Sequence, residues 1–142
     1  MKFIVHTDGG ARDNPGPAAV GVVIEMINEN NKKVEISKRI GEATNNVAEY
    51  TAVREALAYL RNYLPRSGIP LRGTIIQFYL DSNLVVQQLN GMFKVKDAKL
   101  RELMMQVKIL ESEIGGMISY QYIPREENQR ADFLVNKALD NP

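Results

Sequence analysis

Hydrophobic periodicity changes once along this chain, and that change limits what it can fold into. Residues 2–7 (KFIVHT), 18–27 (AAVGVVIEMI) and 34–40 (VEISKRI) are β-favouring or alternating runs. The first stops at an aspartate that opens a turn-rich stretch, and NENNKK reads as the turn between the other two. Three runs joined by short polar turns predict an antiparallel meander. From residue 47 the period is helical: Val47, Tyr50, Val53, Leu57, Leu60 and Leu64 are spaced 3, 3, 4, 3 and 4. This helix is expected to stop before PRSGIP, which carries chain breakers.

Strands and helices then alternate. Residues 74–80 (TIIQFYL) predict a strand buried on both faces, and 82–91 a short helix with Ser82 as N-cap and Gly91 as stop. A longer helix is expected over 97–114, a strand over 117–123 and a last helix over 128–139, with Ala131, Leu134, Val135, Ala138 and Leu139 on one stripe. The order βββαβααβα predicts an α/β fold, a five-stranded mixed sheet flanked by helices. At 142 residues, one domain over 1–142 is expected.

Composition narrows the chemistry. Cysteine is absent and His6 is the one histidine, so a metal site must be built mainly from oxygen. Oxygen donors suit Mg²⁺ or Mn²⁺ and argue against structural zinc. No apolar run has transmembrane length and the N-terminus does not read as a signal peptide, so a cytoplasmic protein without a membrane partner is expected. The net charge of +1 does not announce a nucleic-acid binder, but residues 94–101 (KVKDAKLR) gather four of the eighteen basic side chains.

Four carboxylates fall at expected element ends: Asp8 after the first strand, Glu49 in the first turn of the long helix, Asp81 after the fourth strand, and Asp132 in the first turn of the last helix. In α/β sheets, sites form where strand ends and helix starts converge. Each acid also has a local explanation. Asp8 can bond its turn, Asn46 and Glu49 match a capping box, and Asp81 and Asp132 lie where acids favour a helix start.

Together, TDGGARDNPG, NNVAEYTAVREAL, YLDSNLVVQQLNG and YIPREENQRADFLVNKAL resemble, in order, the four signature blocks of type 1 ribonuclease H. The resemblance covers essentially the whole chain and implies the ribonuclease H-like fold. It implies an endonuclease that cuts the RNA strand of an RNA–DNA hybrid by two-metal-ion catalysis, leaving 5′-phosphate and 3′-hydroxyl ends. Two Mg²⁺ ions are implied, with Mn²⁺ an alternative. Asp8 would bridge both ions, Asp132 would help hold the ion that activates water, and Glu49 and Asp81 would hold the ion on the leaving oxygen. Glu49 would also meet the RNA 2′-hydroxyl. Asn14, Asn45 and Asn46 match minor-groove readers, and Thr44 matches a contact to a DNA-strand phosphate. A monomer with no obligatory protein partner is expected.

The chain departs from the common family pattern in two places. The loop before Asp132 reads IPREEN and has no histidine; Arg125 falls in its place, as in a branch with a Pro-Arg-Glu-x-Asn loop, and can act only by charge. His6 shares a sheet face with Asp8 by strand spacing, where packing explains it better than catalysis. Six residues separate Gly91 from Ala98, so the basic protrusion of some members is missing, and Lys94, Lys96, Lys99 and Arg101 are its candidate replacements. The NYLPRSGIPLRG connection is extended and separates Asp81 further from Glu49 in sequence than in compact members. Three rivals stand beside this reading: a related nuclease with another substrate, a non-catalytic hybrid-binding module, and a structural α/β domain whose acids are only caps.

Overall fold

The computed structural model describes residues 1–27, 31–70 and 72–141. The expected order holds: β1 (Lys2–Ala11), β2 (Gly16–Ile27), β3 (Lys33–Ala43), α1 (Asn45–Arg66), β4 (Ile75–Leu80), α2 (Asn83–Leu89), α3 (Ala98–Ile114), β5 (Met117–Tyr122) and α4 (Gln129–Asp140). The strands form one mixed sheet in the order β3-β2-β1-β4-β5. β1, β2 and β3 pair antiparallel, while β4 runs parallel to β1 and β5 parallel to β4. From β1 the chain first builds the sheet to one side and later returns to build the other. The carboxyl ends of β1 and β4 therefore meet at a topological switch point, where open α/β sheets bind their ligands.

One face of the sheet carries the main core. Phe3 and Val5 of β1, Val22, Ile24 and Met26 of β2, and Ile76, Phe78 and Leu80 of β4 pack against Val53, Leu57, Leu60 and Leu64 of α1. The helical spacing of those α1 residues puts them on one stripe, and each fully buried Leu contributes roughly 1.5–3 kcal/mol. Leu103 and Val107 of α3 close the same core from outside. On the opposite face, α4 lays Val135, Ala138 and Leu139 over Ala19 of β2. Arg130 grips Glu35 of β3 through two bonds of 2.6 and 2.8 Å, and the Ser37 hydroxyl donates to the Leu134 carbonyl, so α4 is fixed in angle as well as packed.

Several boundaries differ from expectation for identifiable reasons. β1 does not end at Asp8. Its pairing with β4 stops at Thr7–Leu80, but its pairing with β2 continues through Asp8–Gly21 to Ala11–Ala18. Asp8 and the glycines after it are poor strand formers held extended by a partner on one side only. α1 runs through Pro65, tolerated because the helix closes one residue later with Ser67 donating to the Tyr63 carbonyl. β4 alternates instead of being buried on both faces: Ile76, Phe78 and Leu80 are covered, while Ile75 is 42% exposed. IPREEN contains a short 3-10 turn, Arg125–Glu127. Part of the expected NENNKK turn, residues 28–30, lies outside the described residues. α2 follows its expected Ser82 cap, and Asp97 caps α3.

Two glycines set the distance between layers. A Cβ on Gly9 would overlap the Ala48 carbonyl of α1, and a Cβ on Gly21 would overlap the Ala131 carbonyl of α4. Both obstacles are backbone, so neither can swing aside. Gly10 differs, since a Cβ there would meet only the Val135 side chain at an ordinary 3.6 Å. Gly9→Ala and Gly21→Ala are therefore expected to lose about 1–3 kcal/mol or more in urea unfolding, while Gly10→Ala stays within about 0.5 kcal/mol of the parent. Equal stability of all three variants would show that the layers are not set by these contacts.

Candidate active site

The site is assembled where four elements end or begin. Asp8 extends from β1 just past the last residue paired with β4. Asp81 follows β4 directly and precedes the Ser82 cap of α2. Glu49 lies in the second turn of α1, later than expected, because Thr44 is the N-cap and its hydroxyl oxygen accepts from the Val47 N–H. The capping-box explanation for Glu49 thus fails: Asn46 is already helical, and Glu49 points its carboxyl into the fold, where it is buried. Asp132 lies in the first turn of α4.

Asp8, Glu49 and Asp81 each offer a carboxylate oxygen within 4.8 Å of the others. Asp132 lines the same cleft, about 370 Å³ in volume, with Gly9, Asn45, Asn46 and Arg125. Among the described residues, no cationic side chain is buried beside these acids. Burial, then Asp81, pushes the Asp8 carboxyl up to about 7. Burial, then the neighbouring Asp8, raises the Glu49 carboxyl well above the ordinary carboxylate range. Glu49 Oε2 is buried without a hydrogen-bond partner. An orphaned carboxylate oxygen facing two further acids suits a hard divalent cation, which takes oxygen ligands and supplies the missing charge.

The expected substrate residues form a continuation of this cleft. Asn45 and Asn46 line both it and an adjoining groove, which also contains Asn14, Thr44, Asp97 and Lys99. Asn14 Oδ1 accepts from the Asn45 N–H at 2.9 Å, and Asn45 Oδ1 accepts from the Ala11 N–H at 2.8 Å. These bonds lock the loop after β1 to the start of α1 and leave the amide N–H groups of both side chains as donors. Arg125 is exposed at the rim near the acids. Lys94, Lys96, Lys99 and Arg101 are exposed on the segment entering α3, and Lys99 alone of the four lines the groove. His6 is not in the cleft. It stacks on Tyr79 with ring centroids 5.2 Å apart, as a packed strand histidine does.

Two features escaped the sequence reading. Gly9 and Gly21 permit the close helix approaches, which no single sequence reveals. Asn128, read only as the start of the last helix, is buried and donates to Asp81. Its position at the end of the IPREEN loop, four residues before Asp132, was the available signal.

The raised carboxyls have a consequence for stability. Between the ordinary carboxylate range, about 4, and the raised range, the folded state binds more protons than the unfolded state. Folding stability of the metal-free protein is therefore fully supported at low pH within that window and declines as pH rises through about 7. A thermal melt in chelator should show a lower Tm at pH 8 than at pH 5, and Asp8→Asn should flatten the slope. A Tm that rises across this window would mean that the acids are not held together in solution.

A family model described as reverse transcriptase-like matches residues 6–138. A ribonuclease HI of Halobacterium salinarum is 39% identical over 136 residues, covering 96% of this chain and 63% of that protein. A bifunctional protein of Mycobacterium tuberculosis is 38% identical over 140 residues, 99% of this chain, and the chain spans only 36% of its length. Among solved structures, LC11-RNase H1 in complex with RNA/DNA hybrid, from an enzyme isolated from compost by a metagenomic approach, is 42% identical with a TM-score of 0.87, covering 97% of this chain and 96% of that one. RNase H1 of Halobacterium salinarum is 36% identical with a TM-score of 0.85 and full coverage of both chains. The family match over most of the chain and these likenesses over nearly the whole length agree: the chain belongs to the type 1 ribonuclease H family.

Proposed function

We propose that residues 1–142 act as one catalytic unit that hydrolyses the RNA strand of RNA–DNA hybrids, leaving 5′-phosphate and 3′-hydroxyl ends. The observation that carries this reading is the cluster of Asp8, Glu49 and Asp81 within 4.8 Å, with Asp132 on the same cleft. Family membership and the hybrid-bound relative support it. The four acids would hold two divalent cations, Mg²⁺ in preference with Mn²⁺ as substitute. Such cations, when bound, stabilise charge on the scissile phosphate and on the leaving oxygen.

The chain's own residues do the rest. Asp8 sits among the other three acids and would help hold both cations. Its proton and that of Glu49 must leave when cations arrive, so loading is favoured as pH rises. Asn14 and Asn45 each have their oxygen engaged by a backbone N–H, which turns the amide N–H donors outward from that bond. Donors match the acceptors of the minor groove and the oxygen of a 2′-hydroxyl, the group that separates hybrid from duplex DNA. Asn46 lies beside them in both the cleft and the adjoining groove. Thr44 and Lys99 share the adjoining groove and suit a phosphate of the DNA strand. Arg125 supplies charge toward an RNA phosphate at the rim. The protein would work as a cytoplasmic monomer, and no helix among the described residues is long and apolar enough to cross a membrane.

A non-catalytic hybrid-binding module would keep the asparagines but has no use for buried, mutually repelling acids. Cleavage of a labelled RNA–DNA hybrid, beside DNA–DNA and RNA–RNA duplexes, separates the readings. Cuts confined to the hybrid's RNA, dependent on Mg²⁺ or Mn²⁺, are expected. Asp81→Asn should retain the circular dichroism of the parent and lose turnover by at least about a hundredfold, the scale on which removing one electrostatic catalytic group acts. A fully active Asp81→Asn variant would defeat the assignment, and binding without cleavage under either metal would favour the module.

A further inference from the structure

Asn128 occupies the N-cap position of α4, where an asparagine ordinarily turns its side-chain oxygen to the helix N–H groups. Here it makes no side-chain cap bond. The side chain is turned the other way, and the residue is 1% exposed. Its Nδ2 donates to the Thr7 carbonyl and to Asp81 Oδ2, both at 2.9 Å. Because both partners can only accept, the amide nitrogen must be the end that faces them, which fixes the flip of the group. Its Oδ1 is buried without a protein partner. Asn128 also lines a small cleft of about 120 Å³ with His6, Glu127 and Ala131.

This is a specific use of an amide. Asp81 is forced toward Asp8 and Glu49, and repulsion alone would rotate its carboxylate away. A lysine or arginine in place of Asn128 would hold it, but would also cancel charge that a cation needs to find. A neutral double donor holds the anion and leaves the cluster's charge intact. The same nitrogen ties down the carbonyl of Thr7, the residue before Asp8. One side chain thus joins the ends of β1 and β4 at the start of the helix that carries Asp132.

We propose that Asn128 is a positioning residue that holds the Asp81 carboxylate, through Oδ2, in the orientation that receives a divalent cation, leaving Oδ1 as the ligand atom. The proposal rests on the metal-dependent reading above and deepens it. Metal ligands oriented by an outer partner typically lose 10–100-fold in affinity or activity when the partner is removed.

The test is Mn²⁺ binding to the full chain without nucleic acid, by calorimetry and by the rise in Tm that Mn²⁺ produces. Parent, Asn128→Ala and Asn128→Ser are compared; serine restores a capping oxygen but is too short to reach both acceptors. The expected result is a 10–100-fold weaker Mn²⁺ affinity in both variants, and a Tm increment that shrinks beyond any loss of Tm in chelator. A variant that melts lower but binds Mn²⁺ like the parent would reduce Asn128 to a structural tie and overturn the proposal. Failure of both variants to fold would do the same. If the parent itself binds no Mn²⁺, the metal-dependent reading falls first, which is a different result from parent-like binding in the variants.

Discussion

No Cβ stands between β1 and α1 at Gly9, or between β2 and α4 at Gly21, and the rest of the site depends on that clearance. Gly21 is the cross-strand partner of Asp8, and Gly9 is its neighbour in sequence. The two missing side chains face two different helices. One lets α1 come close enough to deliver Glu49, and the other lets α4 come close enough to bring Asp132 to the same cleft. A methyl group at either position would hold a helix off the sheet and open the cluster. Close packing transmits such a change directly, because interiors have little free volume to absorb it.

What the close approach creates is unfavourable by itself. Asp8 and Glu49 are buried beside each other, and both carboxyls are pushed upward by burial and by like charge. Proteins retain such arrangements at functional sites and offset them elsewhere. The offset is visible here: an extensive core beneath α1, two tethers from α4 to β3, and Asn128 across the strand ends. Strands and helices carry Asp8, Glu49 and Asp132, Asp81 sits at the junction of β4 and α2, and the loop after β1 is locked to α1 by the Asn14 and Asn45 bonds. The scaffold therefore presents the cluster before any ligand arrives, as a site built for electrostatic stabilisation requires.

Much of this was readable from residue order. The switch from strand to helical period fixed the element sequence, and Ser82 announced the start of α2 correctly. The four acids were visible because the turns around them are short and their motifs distinctive. Other features were hidden by the nature of the signals. Asn46 and Glu49 match a capping box by spacing, and only the observed Thr44 cap shows that the helix begins earlier. Asp8 looked like a strand end because aspartate and glycine disfavour strands, and pairing with β2 overrode that preference. Asn128 was legible only as the start of the last helix, because local rules do not know that Asp81, distant in sequence, accepts from its side chain. In each case a tertiary partner decided what a local preference left ambiguous.

The proposed function turns on Asp8 being shared between two divalent cations that Glu49, Asp81 and Asp132 would also hold. Anomalous scattering from Mn²⁺ in crystals of the protein with an uncut RNA–DNA hybrid reads this directly. Two peaks roughly 3.5–4 Å apart, both ligated by Asp8, are expected. A single peak, or two that do not share Asp8, would contradict the claim even if the hybrid lay in the groove beside Asn45 and Asn46.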